Sequence, residues 1–62
     1  MKKAFVEYRL TTGETGEMIV HARTLRGAIT LVEDILFAQH LRVKDIQAIW
    51  LPALQAGYNQ PL

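Results

Sequence analysis

Apolar and polar positions alternate along "AFVEYRL": Ala4, Val6, Tyr8 and Leu10 share one side, and Phe5, Glu7 and Arg9 share the other. With its aromatic and branched residues, this is the pattern of a half-buried strand. Two glycines among threonines follow in "TTGETG", and then a second alternating run, "EMIVHA", so the pair predicts a hairpin with a loop of several residues. Matching the apolar sides sets Tyr8 opposite Met18, Val6 opposite Val20 and Ala4 opposite Ala22. That register also brings Arg9 opposite Glu17 as a cross-strand ion pair. The other side then carries Phe5, Ile19 and His21, with Phe5 opposite His21.

The period changes in "TLRGAITLVEDILFAQH". At about 100° per residue, Leu25, Ala28, Ile29, Val32, Ile35 and Leu36 fall on one arc, with Leu31 and Ala38 at its edge, which is an amphipathic helix. Thr24 suits its N-cap, although Gly27 stands where a capping-box glutamate would be. Arg26, Thr30, Glu33 and Asp34 take the opposite side, joined by Phe37. A third strand is read in "LRVKDIQAIWLP", where Ile46, Ala48 and Trp50 alternate with Gln47, Ile49 and Leu51 until Pro52, which lacks an amide hydrogen, ends the ladder or marks an edge. Residues 53–62 have no clear period, leaving a turn, an edge segment or an irregular tail open.

This order predicts a single α+β domain over residues 1–62: a three-stranded antiparallel sheet with one helix packed on one face, β-β-α-β. The first strand is expected at the centre. Whether the third runs antiparallel to the first or parallel to the second stays open at this point.

Composition narrows the picture. A 62-residue chain with 50% hydrophobic residues and 21% charged ones has room for two packed layers and a globular balance. With no cysteine there is no disulfide framework and no thiolate zinc site, so packing or a partner must hold the domain together. Glu7 and Arg9 interrupt any apolar signal-peptide core after "MKKAFVEY", and no run of about 18 apolar residues follows, so the chain reads as soluble and cytoplasmic, without a membrane partner. The net charge of +1 prescribes no acidic partner, so only the placement of charge matters.

The chemistry points away from catalysis. The chain has neither serine nor cysteine to act as a nucleophile. His21 and His40 fall on different elements without a short ligand spacing, adjacent Glu33 and Asp34 point about 100° apart on the helix, and Gly13 and Gly16 precede a strand and not a helix. No catalytic residue, metal ligand or cofactor is therefore nominated, and the expectation is not an enzyme.

Three surface features stand out as partner-binding candidates. Phe5, Ile19 and His21 lie on the sheet face turned from the helix, where water is expected unless the C-terminal residues, Leu54 and Tyr58 among them, fold over it. Phe37 lies on the polar side of the helix; the ordinary alternatives are a rotated helix or a Phe37 tucked against the residues after His40. Lys2, Lys3, Arg23 and Arg26 gather with the terminal amine at one pole, beside the positive end of the helix dipole, where basic groups cost roughly 0.3 to 1 kcal/mol each when exposed. The ordinary alternative there is a solvated end that keeps the protein soluble. A typical nucleic-acid footprint is missing, since there is one long helix and Trp50 sits in an apolar run.

The layout of "MIVHARTLRGAITLVEDI" resembles many short phage and mobile-element proteins, in which the hairpin's second strand ends in Ala, a capping Thr or Ser follows, and an Ala-containing helix leads to a final strand. The overall order resembles that of some small anti-CRISPR proteins of phages, without a diagnostic motif. The resemblance implies an inhibitor that occludes a surface of a larger bacterial complex without catalysis, with Lys2, Lys3, Arg23 and Arg26 as the basic residues to nominate. The expected function is a non-enzymatic binding protein with a protein partner. A nucleic-acid-associated module using the basic pole and a structural homodimer are the alternatives.

Overall fold

The structure, a computed structural model, describes residues 1–51. Within them the chain forms β1 (Lys2–Leu10), β2 (Thr15–Ala22), α1 (Leu25–Ala38) and β3 (Val43–Trp50). The three strands make one sheet in the order β2-β1-β3, and both pairings are antiparallel. The α+β fold with one helix on a three-stranded antiparallel sheet is thus present, with β1 at the centre, and β3 runs antiparallel to it. The expectation for residues 53–62, including a cover made by Leu54 and Tyr58, lies outside the described residues.

The hairpin register differs from the expected one by two residues. Val6 faces Met18, Ala4 faces Val20, Tyr8 faces Gly16 and Arg9 faces Thr15. The anticipated Arg9–Glu17 pairing is replaced by Glu7 opposite Glu17, and Phe5 meets Ile19 in place of His21. The loop explains the offset. The Gly13 amide donates to the Leu10 carbonyl at 2.9 Å, and the Leu10 amide donates to the Glu14 carbonyl at 2.7 Å. These bonds close a three-residue loop, Thr11 to Gly13, whose last position has φ 98°, a conformation glycine adopts without a steric penalty. Gly16 is consequently a strand residue and not a loop residue. A shift of two preserves which side each residue faces, so the apolar surface is the same in either register.

The core lies between that surface and the helix. Ala4, Val6, Leu10 and Ala22 from the sheet and Ala28, Val32 and Leu36 from α1 are buried, with Met18, Val20, Ile46, Ala48 and Trp50 packed around them. The buried helix positions recur at four-residue intervals along the predicted arc, while Leu25, Ile29 and Ile35 are half-buried at its flanks. On β3 the pairing passes from Arg9–Asp45 to Leu10–Val43, so Lys44 is the extra residue of a bulge. That extra residue reverses the alternation and brings Val43 to the core side with Ile46.

Local chemistry sets the helix ends. The Thr24 hydroxyl accepts the Gly27 amide at 2.9 Å, which satisfies one of the free donors of the first turn. At the other end the Leu41 amide donates to the Leu36 carbonyl at 3.0 Å and the His40 amide to the Phe37 carbonyl at 2.9 Å. This paired closure needs a left-handed residue at its hinge, and here that residue is His40 at φ 63°. Glycine carries no β-carbon penalty in that region, whereas other L-residues are disfavoured by about 1–2 kcal/mol. His40→Gly is expected to stabilise the fold by about 1 kcal/mol, raising the melting temperature by roughly 4–8 °C in a domain of this size. Calorimetry of the two proteins checks it; an unchanged or lower midpoint would refute the assignment.

The Tyr8 ring lies over Gly16, where a β-carbon would fall 2.9 Å from the ring's Cε1 and closer still to its hydroxyl end. Gly16→Ala should therefore displace the ring and destabilise by about 1 kcal/mol or more. In a Tyr8→Ala background the same change should be neutral or favourable, since alanine loses less backbone entropy in a strand than glycine. Denaturant melts of the four proteins in this cycle measure the coupling.

Candidate protein-binding face of the sheet

Because α1 covers one side of the sheet, the odd-numbered residues of β1 and their partners form a side that no other described element covers, and the pairings arrange it in cross-strand rows. Toward the start of β1, Lys3 faces His21. The next row crosses all three strands as Ile19, Phe5 and Ile49. Beyond it come Glu17, Glu7 and Gln47, and then Thr15, Arg9 and Asp45. The apolar row is open to solvent, with Ile19 57% and Ile49 42% exposed and Phe5 half-buried between them. It lies between a row carrying two basic side chains and a row carrying two carboxylates.

The carboxylate row works against the isolated chain. Glu7 and Glu17 are direct register partners and both are exposed, and like charges facing each other across two strands are destabilising. Glu7 is restrained on its other flank, where Gln47 Nε2 donates to its Oε1 at 3.2 Å. Together with Arg9, Thr15 and Asp45, these residues line an open hollow at the polar half of the face.

The nominated residues fall into three groups. Phe5, Ile19, His21 and Lys3 share the open face, as the preserved side of each residue requires. The start of β1, the end of β2 and the start of α1 meet at one pole, Lys2 being the register partner of Ala22. Arg23 and Arg26 belong to that pole, Arg23 exposed and Arg26 close behind it in the first turn of α1. Lys2 has another occupation: its ammonium lies 5.2 Å from the centroid of the Trp50 ring, on the helix side of the sheet. A cation over the face of an indole is attracted by the ring quadrupole, so the Lys2 side chain covers the core edge at that end of the sheet. Phe37 is 79% exposed near the end of α1, not tucked against the described residues after His40, and it lies away from the open face.

Ile49, Glu7 and Glu17 belong to the face but are not among the residues that sequence pattern nominates. Ile49 joins Phe5 only once β3 is known to pair with β1, and the expected register gives Glu17 to Arg9. Among the described residues no cluster of histidine and acidic side chains is arranged to hold a metal ion, and no helix is long and apolar enough to cross a membrane. Comparison with protein-family models, curated proteins and solved structures finds no match to this chain.

Glu17→Lys should replace the repulsive Glu7–Glu17 pair with an attractive one and stabilise the isolated domain by a few tenths of a kcal/mol, about 0.2–1. The gain should shrink when salt is raised, because exposed charges are screened. Melting curves in low and high salt test it, and a loss of stability at low salt would show that the two carboxylates are not in opposition.

Proposed function

We propose that this chain is a non-enzymatic binding protein that occludes or bridges a surface of a macromolecular partner, with the open face of its sheet as the contact surface. The observation that carries this reading is the exposed row Ile19–Phe5–Ile49, which spans all three strands. A lone exposed isoleucine is ordinary on a protein surface, but a contiguous apolar row on an uncovered sheet is costly to leave in water. Flanking charges of opposite sign supply orientation, which apolar contact alone does not. The resemblance to small phage inhibitors gives the reading a concrete form, in which the bound surface belongs to a bacterial complex and no chemistry is performed. A protein partner is favoured over nucleic acid because the face is apolar at its centre and carries carboxylates, which phosphate repels.

Ile19→Lys combined with Ile49→Lys should leave the circular dichroism spectrum unchanged and abolish partner capture from the native host, read against wild type by quantitative mass spectrometry. A different result would replace the reading: nucleic-acid affinity that falls steeply with salt, vanishes in an Arg23→Ala, Arg26→Ala variant and survives the two lysines would assign function to the basic pole.

A further inference from the structure

We propose that the occupant of the open face is a second copy of this chain, packed sheet to sheet with its strands reversed. The proposal rests on the reading of that face as a contact surface: the pair is the form of the free protein, and a partner that binds the same face more tightly displaces the second copy. A two-fold contact is self-complementary: if one residue meets another across it, the reverse contact also forms. Two such axes can bring the faces together, and the charges distinguish them.

With the axis along β1, Glu7 falls on Glu7 of the second copy and Lys3 on Lys3 of the second copy, so like charges meet. With the axis along the row Ile19–Phe5–Ile49, the apolar row packs on itself and the strand direction reverses. Lys3 and His21 then lie over Glu7 and Glu17 of the second copy, and the same pairs repeat on the other side of the axis. Each carboxylate of the Glu7–Glu17 opposition gains a basic group directly opposite it, where its own register partner across the strands is another carboxylate. The arrangement also explains why the two charged rows are of opposite sign and stand at equal distances, one row each, from the apolar one.

Geometry sets the strength. Strands about 4.8 Å apart and same-face residues about 6.8 Å apart give a face of roughly 15 by 25 Å. Two such faces bury on the order of 700–1,000 Å² together, at or below the lower limit for a stable complex, so the dimer is weak and concentration-dependent. Sheets packed face to face cross at about 30°, which concentrates contact on the central rows, where the isoleucines and the charge pairs lie. The reversed strands send the two basic poles to opposite ends of the pair, leaving Arg23 and Arg26 of each copy free, as a bridging protein requires.

Sedimentation of the full 62-residue chain from about 10 µM to about 1 mM tests this. The expected average mass rises from 7.0 kDa toward twice that value. Lys3→Glu alone and Glu7→Lys alone each place like charges across the axis and should raise the dissociation constant about tenfold or more. An equimolar mixture of these two variants restores both pairs at once. The glutamate introduced in the first variant meets the lysine introduced in the second, while the unchanged Glu7 of the first meets the unchanged Lys3 of the second. The mixture should therefore associate at least as tightly as wild type. A mixture that associates no better than its components overturns the proposed axis. A mass constant over the whole range overturns the dimer and gives the face to another occupant, either residues 52–62 of the same chain or an unrelated protein. In that case loss of partner capture in the Ile19→Lys, Ile49→Lys variant would still uphold the contact surface, whereas unchanged capture would remove that reading as well.

Discussion

One helix cannot cover both sides of a sheet. In this chain of 62 residues the helix Leu25–Ala38 lies on one side of three strands, and the rest of the molecule is organised by that asymmetry. The covered side takes the small and branched residues Ala4, Val6, Ala28 and Val32, all fully buried, which lets helix and sheet approach closely. A core built from so few side chains is thin, and its rim becomes important. Trp50 under the Lys2 ammonium and Tyr8 over Gly16 extend it at opposite ends of the sheet. The same asymmetry leaves Ile19, Phe5 and Ile49 on a side that no element of the described chain covers.

Much of this is readable from residue pattern, and the part that is not has a definable reason. Alternation with a period of two determines which side each strand residue faces, so Ala4, Val6, Met18 and Val20 belong to the covered side whatever the register. It does not determine the register itself, because an offset of two leaves the pattern unchanged. An ion pair between Arg9 and Glu17 is the obvious tie-breaker in the sequence, yet an exposed pair is worth too little to decide it. The loop is the stronger determinant, since Gly13 in a left-handed conformation closes a three-residue turn and pins Leu10 to Glu14. Loop glycine and strand glycine look alike in sequence, and Gly16 is assigned to the strand only when the hydrogen bonds that close the Thr11–Gly13 loop are seen.

The open face is half readable for a related reason. Phe5, Ile19, His21 and Lys3 follow from hairpin parity alone, whereas Ile49 depends on a pairing between residues separated by most of the chain. No local pattern fixes such a contact, and the neighbour of β3 follows only from the central position of β1. Lys2 departs from expectation in the opposite sense. Sequence nearness counts its charge toward the pole, but the side chain lies on the covered side with Ala4 and Val6, where Trp50 draws it. Placement on a strand therefore matters more to the fate of a lysine than its nearness in sequence to other basic residues.

Three of the features that depart from what stability alone would select are the left-handed His40, the opposed Glu7 and Glu17, and the exposed apolar row. They do not carry equal weight. The His40 departure is confined to a helix terminus and touches neither of the others, so it is a local backbone matter that one substitution can relieve. The other two adjoin each other on one face, and their costs have opposite remedies, burial for the isoleucines and a cation for the carboxylates. No single change within the chain supplies both. A surface that brings an apolar strip and a basic row together, at the spacing of the strands, supplies both at once, and the one surface in the described structure with that spacing is the open face itself, turned end for end.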